Sequence, residues 1–576
     1  MNSQEVLDAV AKHQTISFDI FSTLVDRPYV KPTDLFKQME LDLGIPGFHD
    51  ERVDAERRSR RRENPEISFD DIYEEIDRQF VHVKATELEY EKQVLKTNPE
   101  MKEVFDYAIS LGKNVIIVSD MYLPADFLDE VLQKNGYSGY SKIYVSCEHK
   151  CNKHTGDLFK LVLEDLSVES NSILHIGDNK GSDYNSARRV GIDAFWYESM
   201  MDQYFSQNKI ESRFYNRNKG LGASILVSMD ALYWMKNNKQ TSNQNYWYDT
   251  SYRFAGPVTY SFIRFIKQNL SDDVKRIFFV ARDGYNLIRV YKTLYDDNIS
   301  CEYIYAPRIL RNLVADSNRN DNNYICWIVK FFANDDAVRD SIPSGRLTTK
   351  VCTKVYKENT EIFENLREKE VQKCNEYMSK VVVGDDDLAV VDATTLKYSS
   401  QKLIEHFTGE RIVTGYYYNV LKESRETKHF TFQDRSRKFN NWSEVNVPEL
   451  FMSSPEPPIC GISDDYRPMF REDNSEHELH RISIHGDIMK GEVDYAADVR
   501  ERFGDMLPEI DPVAVAAWTD VLINRRSAAD KENILKMMWA PDFDHKEYYH
   551  LIFNWADLKY HLKNKAFSFI WKFSKN

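Results

Sequence analysis

The sequence predicts an α/β protein with two successive strand-and-helix units, and three stretches carry that prediction. Ser17–Leu24 reads S-F-D-I-F-S-T-L: the apolar Ile16, Phe18 and Ile20 surround Asp19, and the hydroxyls Ser22 and Thr23 follow. A buried parallel strand that delivers an acid to its carboxyl edge is how open α/β sheets place their chemistry. Arg276–Tyr285 reads as a strand, a tight turn at Arg282-Asp283-Gly284, and a helix with Leu287, Val290, Tyr291, Leu294 and Tyr295 on one face. Leu388–Thr395, L-A-V-V-D-A-T-T, is another buried strand that ends in an acid and hydroxyls.

Composition bounds the reading. The chain has 576 residues, enough for several domains at a prior of ~150 residues each. Its apolar fraction of 42% and aromatic fraction of 13% suffice for large cores. With 76 Lys and Arg against 91 Asp and Glu, the net charge is −15, which argues against a nucleic-acid binder. Met1–Gln14 is polar and lacks the apolar core of a signal peptide. No apolar run approaches the ~18 residues of a membrane span. The seven cysteines are scattered and form no C-x-x-C pair, which suits reduced thiols in a cytoplasmic protein. Cys147, His149, Cys151 and His154 lie close in sequence, but their spacing is not that of a zinc finger.

Three later segments complete the first stretch in order. Asn114–Asp120 is a strand ending in Ser119-Asp120, Lys153 precedes a helical stretch, and Ile173–Asp178 is a strand ending in Gly177-Asp178 with Asp183 beyond it. Together these resemble the four motifs of the haloacid dehalogenase (HAD) superfamily. The resemblance covers roughly residues 10–200. It implies a Rossmann-like phosphatase domain over 1–205, in which Asp19 attacks phosphorus, Ser119 and Lys153 hold the phosphoryl oxygens, and Asp19, Phe21, Asp178 and Asp183 form the Mg²⁺ site. HAD phosphatases carry a second Asp two residues after the nucleophile as general acid/base. Here that position is Phe21, and Asp120 is the nearest substitute by motif.

Residues 30–110 are rich in helical pattern and poor in strands, which resembles the helical cap of many HAD enzymes. The run from Glu56 to Glu63 holds five arginines. It reads as a solvated helix face, or as a cap surface that offers arginines to an anionic substrate. Residues 206–245 contain one helical stretch, Leu221–Met235, followed by the polar tract Lys236–Asn245, and read as a helical and polar linker.

The second unit, 246–555, is expected to be α/β. A strand, glycine turn and helix form a ready anion site, because helix-start N–H groups point outward. Its two loops faintly resemble those of phosphoribosyltransferases. That resemblance implies pyrophosphate near Arg282, Gly284 and Tyr285, with Asp283 as a guess for the base. It implies ribose phosphate near Asp392, Thr394, Thr395, Ser399 and Ser400. Arg308 and Arg311 follow another strand and either take phosphate or pair with the excess acids. His477, His480 and His485 match no familiar metal spacing and read as structural or solvated. Residues 556–576 alternate lysines with Leu558, Leu562, Phe569, Ile570 and Phe573 at helical spacing. This basic aromatic helix either lies on an anionic membrane surface or docks on the second unit.

The whole arrangement, including Pro448–Ser454, resembles dual-domain ribofuranosyltransferases of bacterial surface-polysaccharide assembly. The resemblance implies transfer of phosphoribosyl from phosphoribosyl pyrophosphate (PRPP) to a glycan acceptor, lipid-linked, with the HAD domain then removing the 5-phosphate. Location in the cytoplasm, peripheral to the inner face of the membrane, goes with it. The rival expectations are a HAD sugar-phosphate phosphatase with a scaffold domain, and a non-catalytic assembly protein with a degenerate HAD domain, which Phe21 and Ser22 favour.

Overall fold

The computed structural model describes residues 3–61, 66–238, 245–306, 308–314, 321–384, 387–409, 411–433, 443–472, 475–540, 548–552, 554 and 557. The chain divides into two compact units, Met1–Asn243 with Asp498–Val521, and Gln244–Ala497 with Leu522–Asn576.

The first unit contains β1 (Thr15–Phe18), β2 (Val25–Asp26), β3 (Lys96–Thr97), β4 (Asn114–Ser119), β5 (Lys142–Val145), β6 (Ile173–Gly177) and β7 (Asp193–Trp196). Five of these form a parallel sheet in the order β5-β4-β1-β6-β7. The chain leaves β1 for β4 on one side and later enters β6 on the other. The carboxyl end of β1 is therefore a topological switch point, and Asp19 stands there. Phe18, Ile117 and Ile176 share one register and are buried, so apolar strand residues hold the acid in place.

The cap helices Asp34–Asp42, Phe48–Ser59, Phe69–Glu75 and Lys84–Val94 lie between β2 and β3, whose antiparallel pairing closes the insertion. Inside the cap, the fully buried Arg52 makes a forked pair with Glu87, Nη2 to Oε1 at 2.8 Å and Nε to Oε2 at 2.9 Å. Its neighbours in the arginine run form local pairs, Arg58 with Glu51 at 2.6 Å and Arg60 with Glu56 at 2.9 Å, as a solvated helix face does. The expected cap limit at 110 is corrected to β3. The helix Pro99–Ser110 buries Met101, Val104 and Phe105, and the Phe105 ring lies 5.5 Å from Phe18 of the sheet. Helical periodicity shows that a face is apolar but not which body it packs against.

The stretch expected as a linker belongs to the first unit through its last helix. Met200–Gln207, Lys209–Asn218 and Leu221–Asn238 are helices, and the last buries Ile225, Leu226, Val227 and Met229. Ser224 Oγ accepts from Val30 N at 2.8 Å, and Phe214 packs edge-on against Trp518 of the returning segment. Residues 239–244 lie outside the described residues.

The second unit is α/β as expected. It contains β8 (Val274–Val280), β9 (Ser300–Ile304), β10 (Asp387–Thr395), β11 (Thr414–Val420) and β12 (His429–Thr431). They form a parallel sheet ordered β12-β11-β10-β8-β9, again with a switch point, here between β8 and β10. Phe278, Val280 and Val390 face the helices Arg308–Val314, Thr360–Val381 and Ser399–Phe407 in one core. The helix Gly284–Leu294 starts so close to β8 that a Cβ on Gly284 would meet the Phe279 carbonyl carbon at 2.6 Å. Helices Asn322–Phe331 and Thr349–Glu358, inserted between β9 and β10, have their own core around Ile328, Cys352 and Phe363. Apart from Asp557, the predicted tail helix lies outside the described residues. Among the described residues no helix is long and apolar enough to cross a membrane.

Candidate active site

Asp19 leaves β1 nearly buried, and its N–H donates to Ile176 O at 2.9 Å. Lys153 reaches it from the far side of the sheet edge. The Lys153 N–H is held by Asp120 Oδ1 at 2.8 Å, and Nζ lies 2.6 Å from both Asp19 Oδ1 and Asp183 Oδ1. Asp183 is itself fixed. Its Oδ2 accepts from Asn179 N at 2.8 Å, and His175 Nε2 lies 3.3 Å from its Oδ1, while His175 Nδ1 meets Ser17 Oγ at 2.7 Å. Gly177 makes room for this acid, since a Cβ there would stand 2.5 Å from the Asp183 carboxyl. His175 was not anticipated; a polar residue inside the apolar run Ile173–Gly177 was its only sequence signal.

Ser119, at the end of β4, and Thr23, after β1, are buried, and their hydroxyl oxygens have no hydrogen-bond partner. Ser119 ends β4, the strand beside β1, so its free hydroxyl stands at the carboxyl edge that carries Asp19 and is a group suited to an oxyanion.

Carboxylate oxygens of Asp19, Asp178 and Asp183 lie within 4.8 Å of one another. Burial pushes Asp19 up to about 7, with Lys153 opposing and Asp183 adding. Burial, Asp19 and Asp183 push Asp178 up to about 8. Burial also disfavours ionised Asp183, but Lys153 and His175 outweigh it and hold that carboxyl well below its ordinary range. One lysine thus faces three carboxylates, and two of them favour the protonated form. Hard oxygen donors crowded against their own repulsion are a donor set that fits Mg²⁺. Phe21 has no side-chain ligand atom and can add only its main-chain carbonyl. Its ring lies under the Arg27 guanidinium at 4.5 Å, and Arg27 forks onto Glu91. Partial desolvation raises the carboxyl of Asp120 as well, against Lys153, although the residue reaches solvent. Among the described residues the cysteines and histidines around Lys153 assemble no ligand set, and burial pushes the Cys147 thiol up to about 11.

In the second unit the two predicted loops meet at the switch point. Burial pushes Asp283 up to about 6, opposed by Arg282 and by the nearby Ala393 N–H, which donates to Asp392 Oδ1. Arg282 Nη2 lies 4.0 Å from Glu478 Oε1, which Arg481 holds at 2.6 Å. Arg481 also donates to Ser453 Oγ and Ser454 O, which ties down the end of the Pro448–Ser454 segment. Neither Glu478 nor Arg481 was anticipated, because both lie on a distant helix. Tyr285 sits among the Arg289 guanidinium at 3.7 Å, the Tyr303 ring at 5.5 Å and the His485 ring at 5.3 Å.

Thr395 Oγ1 accepts from Tyr398 N at 2.8 Å, and Ser399 and Ser400 open the following helix. Thr394 Oγ1 is buried without a partner, and Asp392 is half-buried one residue before Ala393. Arg308 starts a helix, and its side chain lies outside the described residues; Arg311 is half-buried on that helix. His485 is structural, with Nε2 3.0 Å from Asn286 Oδ1, and burial pushes it down to about 4. The His477 and His480 rings pack near Tyr548 and Trp247.

Solved structures match part of this chain. A HAD family enzyme from Bacteroides thetaiotaomicron is 16% identical, covers 34% of this chain and 98% of its own, and has a TM-score of 0.27. A 2-haloacid dehalogenase from Pseudomonas syringae is 14% identical over 32% of this chain and 86% of its own, with a TM-score of 0.26. The L-2-haloacid dehalogenase from Xanthobacter autotrophicus is 16% identical over 32% and 76%, with a TM-score of 0.24. At those scores the roles of residues rest on the site geometry alone. No curated protein matches the sequence. Residues 33–197 match the family model of the haloacid dehalogenase-like hydrolases, a span that starts after Asp19. The first unit therefore carries a haloacid dehalogenase-like hydrolase domain.

Proposed function

We propose that the first unit hydrolyses a sugar phosphate monoester with Asp19 as nucleophile. The observation that carries this reading is the Lys153 ammonium 2.6 Å from Asp19, at the sheet edge where the neighbouring strand ends in the unpartnered Ser119 hydroxyl. An Asp19 oxygen attacks phosphorus, the bond from phosphorus to the sugar oxygen breaks, and an aspartyl phosphate forms. Lys153 and Ser119 neutralise the transferring oxygens. Asp120, in place of an acid at position 21, gives a proton to the leaving sugar oxygen and later takes one from the attacking water. Water then releases phosphate and restores Asp19. Asp19, Asp178 and Asp183, with the Phe21 carbonyl, would hold Mg²⁺, which would supply positive charge to the transferring phosphoryl group.

We further propose that the second unit supplies the substrate by moving 5-phosphoribosyl from PRPP to a hydroxyl of a lipid-linked glycan, with the C-terminal tail resting on the inner membrane face. The bond from C1 to pyrophosphate breaks, the bond from C1 to the acceptor oxygen forms, and Asp283 takes the acceptor proton. The meeting of Asp283 with Ala393, next to Asp392, at a switch point supports this reading. Removing the 5-phosphate afterwards makes the sequence effectively irreversible.

The test is a PRPP assay with Mg²⁺ and glycan acceptors, on the wild type and Asp19→Asn, read by mass spectrometry. Phosphopentosyl glycan in the variant and bare pentosyl glycan in the wild type is the expected result. Cleavage of simple sugar phosphates without PRPP consumption would reduce the function to a phosphatase with a scaffold. No turnover of either would mark a non-catalytic assembly protein.

A further inference from the structure

Strands β10 and β11 end together at the carboxyl edge of the second sheet. Thr394 and Asn419 are partners in their register. Partners in a parallel ladder project to the same face, so the Thr394 hydroxyl and the Asn419 amide stand side by side. Asn419 is 1% exposed, and neither its Oδ1 nor its Nδ2 has a hydrogen-bond partner. The Thr394 hydroxyl is buried and unpartnered too. Buried side-chain amides are hydrogen-bonded as a rule, so an orphan at both ends calls for an explanation.

The location supplies one. Asp392, two residues before Thr394, shares its face, and its Oδ1 accepts the Ala393 N–H at 3.0 Å. That face lies under the helix Ser399–Phe407, because Tyr417, the register partner of Asp392, donates to Gln401 Oε1 at 2.9 Å. The unpartnered groups therefore lie beside the switch point, on the face where Ser399 and Ser400 begin their helix.

The types of group select a ligand. The Thr394 hydroxyl both donates and accepts, Asn419 offers one acceptor and one donor end, and Asp392 only accepts. Phosphate oxygens only accept, so a phosphate would leave Asn419 Oδ1 unmatched. Neighbouring sugar hydroxyls, each a donor and an acceptor, satisfy the Thr394 hydroxyl and both ends of the Asn419 amide. We infer that the carboxyl end of β10 and β11 is a subsite for sugar hydroxyls, read by Thr394 and Asn419 beside Asp392. This deepens the proposed transferase role of the second unit and rests on that reading for its place in turnover.

The experiment is saturation-transfer NMR on the full chain with unphosphorylated D-ribose, D-glucose, D-galactose and D-mannose, followed by titration of any sugar that responds. These probes offer no phosphate to the Asp19 site and are not PRPP. At least one sugar receives saturation, and Asn419→Leu weakens its binding about tenfold or more. The thermal midpoint of that variant stays at or above wild type, because an unpartnered buried amide has been removed. Thr394→Val keeps the side-chain shape, weakens binding in the same direction, and carries the test if Asn419→Leu fails to fold. Saturation of no sugar, or binding unchanged in a folded variant, overturns the inference and leaves a buried water as the partner of the amide. Sugar binding that persists without PRPP turnover leaves the subsite standing and removes PRPP as the donor.

Discussion

The Lys153 ammonium stands 2.6 Å from Asp183 Oδ1 and as close to Asp19, so one side chain ties the proposed nucleophile to an acid of the turn Lys180–Asn185. Both acids are almost fully buried, and His175 Nε2 adds a second contact to Asp183 Oδ1 at 3.3 Å. Lys153→Met is expected to lower phosphate release by about 10²–10³, the effect of removing one charge stabiliser. It also leaves buried carboxylates unpaired, a loss of about 3–5 kcal/mol. Steady-state kinetics and denaturant unfolding read the two effects separately.

Asp120 is the proposed proton donor where Phe21 removes the usual one. Asp120→Asn keeps an oxygen for the Lys153 N–H, which Oδ1 now accepts at 2.8 Å. The variant is expected to bind substrate normally and to lose about 10²–10⁴ in kcat. The loss is expected to shrink for phosphate esters with acidic leaving groups such as p-nitrophenol, which need no proton. A uniform loss for both ester types would remove Asp120 from the acid role.

Asp26, on β2, titrates in the opposite sense to a paired surface acid. Burial pushes its carboxyl up to about 6 from an ordinary 3.8, with Arg502 opposing and Glu100 adding. The folded state thus binds this proton more tightly than the unfolded chain. Below about pH 4 the group is protonated in both states and costs nothing. Above about pH 6 it is ionised in both, and folding carries a penalty of about 3 kcal/mol. Asp26→Asn is therefore expected to be more stable than wild type at pH 7–8, with the difference closing toward pH 4. Denaturant unfolding of the first unit across that range checks it.

Arg52 and Glu87 bury a forked ion pair in the cap, with Tyr73 OH donating to Glu87 at 2.7 Å. Arg52→Met leaves the Glu87 charge without its cation and is expected to cost about 3–5 kcal/mol. The double variant Arg52→Met, Glu87→Met is expected to recover most of that loss, because apolar groups of similar size replace both charges. Thermal melts of the two single variants and the double variant complete the cycle.

Much of the first site could be read before any coordinates. Asp19 and Asp178 each follow a short apolar strand and Ser119 ends one, and strand ends are local features of sequence. The residues that tune the site were less visible. His175 sits inside a buried strand, and its bond to Asp183 depends on the turn Lys180–Asn185. In the second unit, Arg282 and Asp283 were visible as a strand-to-helix turn. Glu478 and Arg481 were not, because they lie nearly 200 residues away on a helix whose face gives no sign of its partner. Asn419 left one trace, a polar residue inside the otherwise apolar and aromatic end of T-G-Y-Y-Y-N-V.

By itself the sequence determined the strands, the acids at their carboxyl ends and the two α/β units, because side-chain periodicity and turn chemistry act over a few residues. Only the tertiary structure decided that the cap ends at β3, that the helices after Ser199 pack into the first unit, and that Asp498–Val521 returns to it. It alone decided which carboxylates share one lysine and which amide is left without a partner. Burial and charge interaction depend on distance in space, and strand order sets that distance independently of separation along the chain.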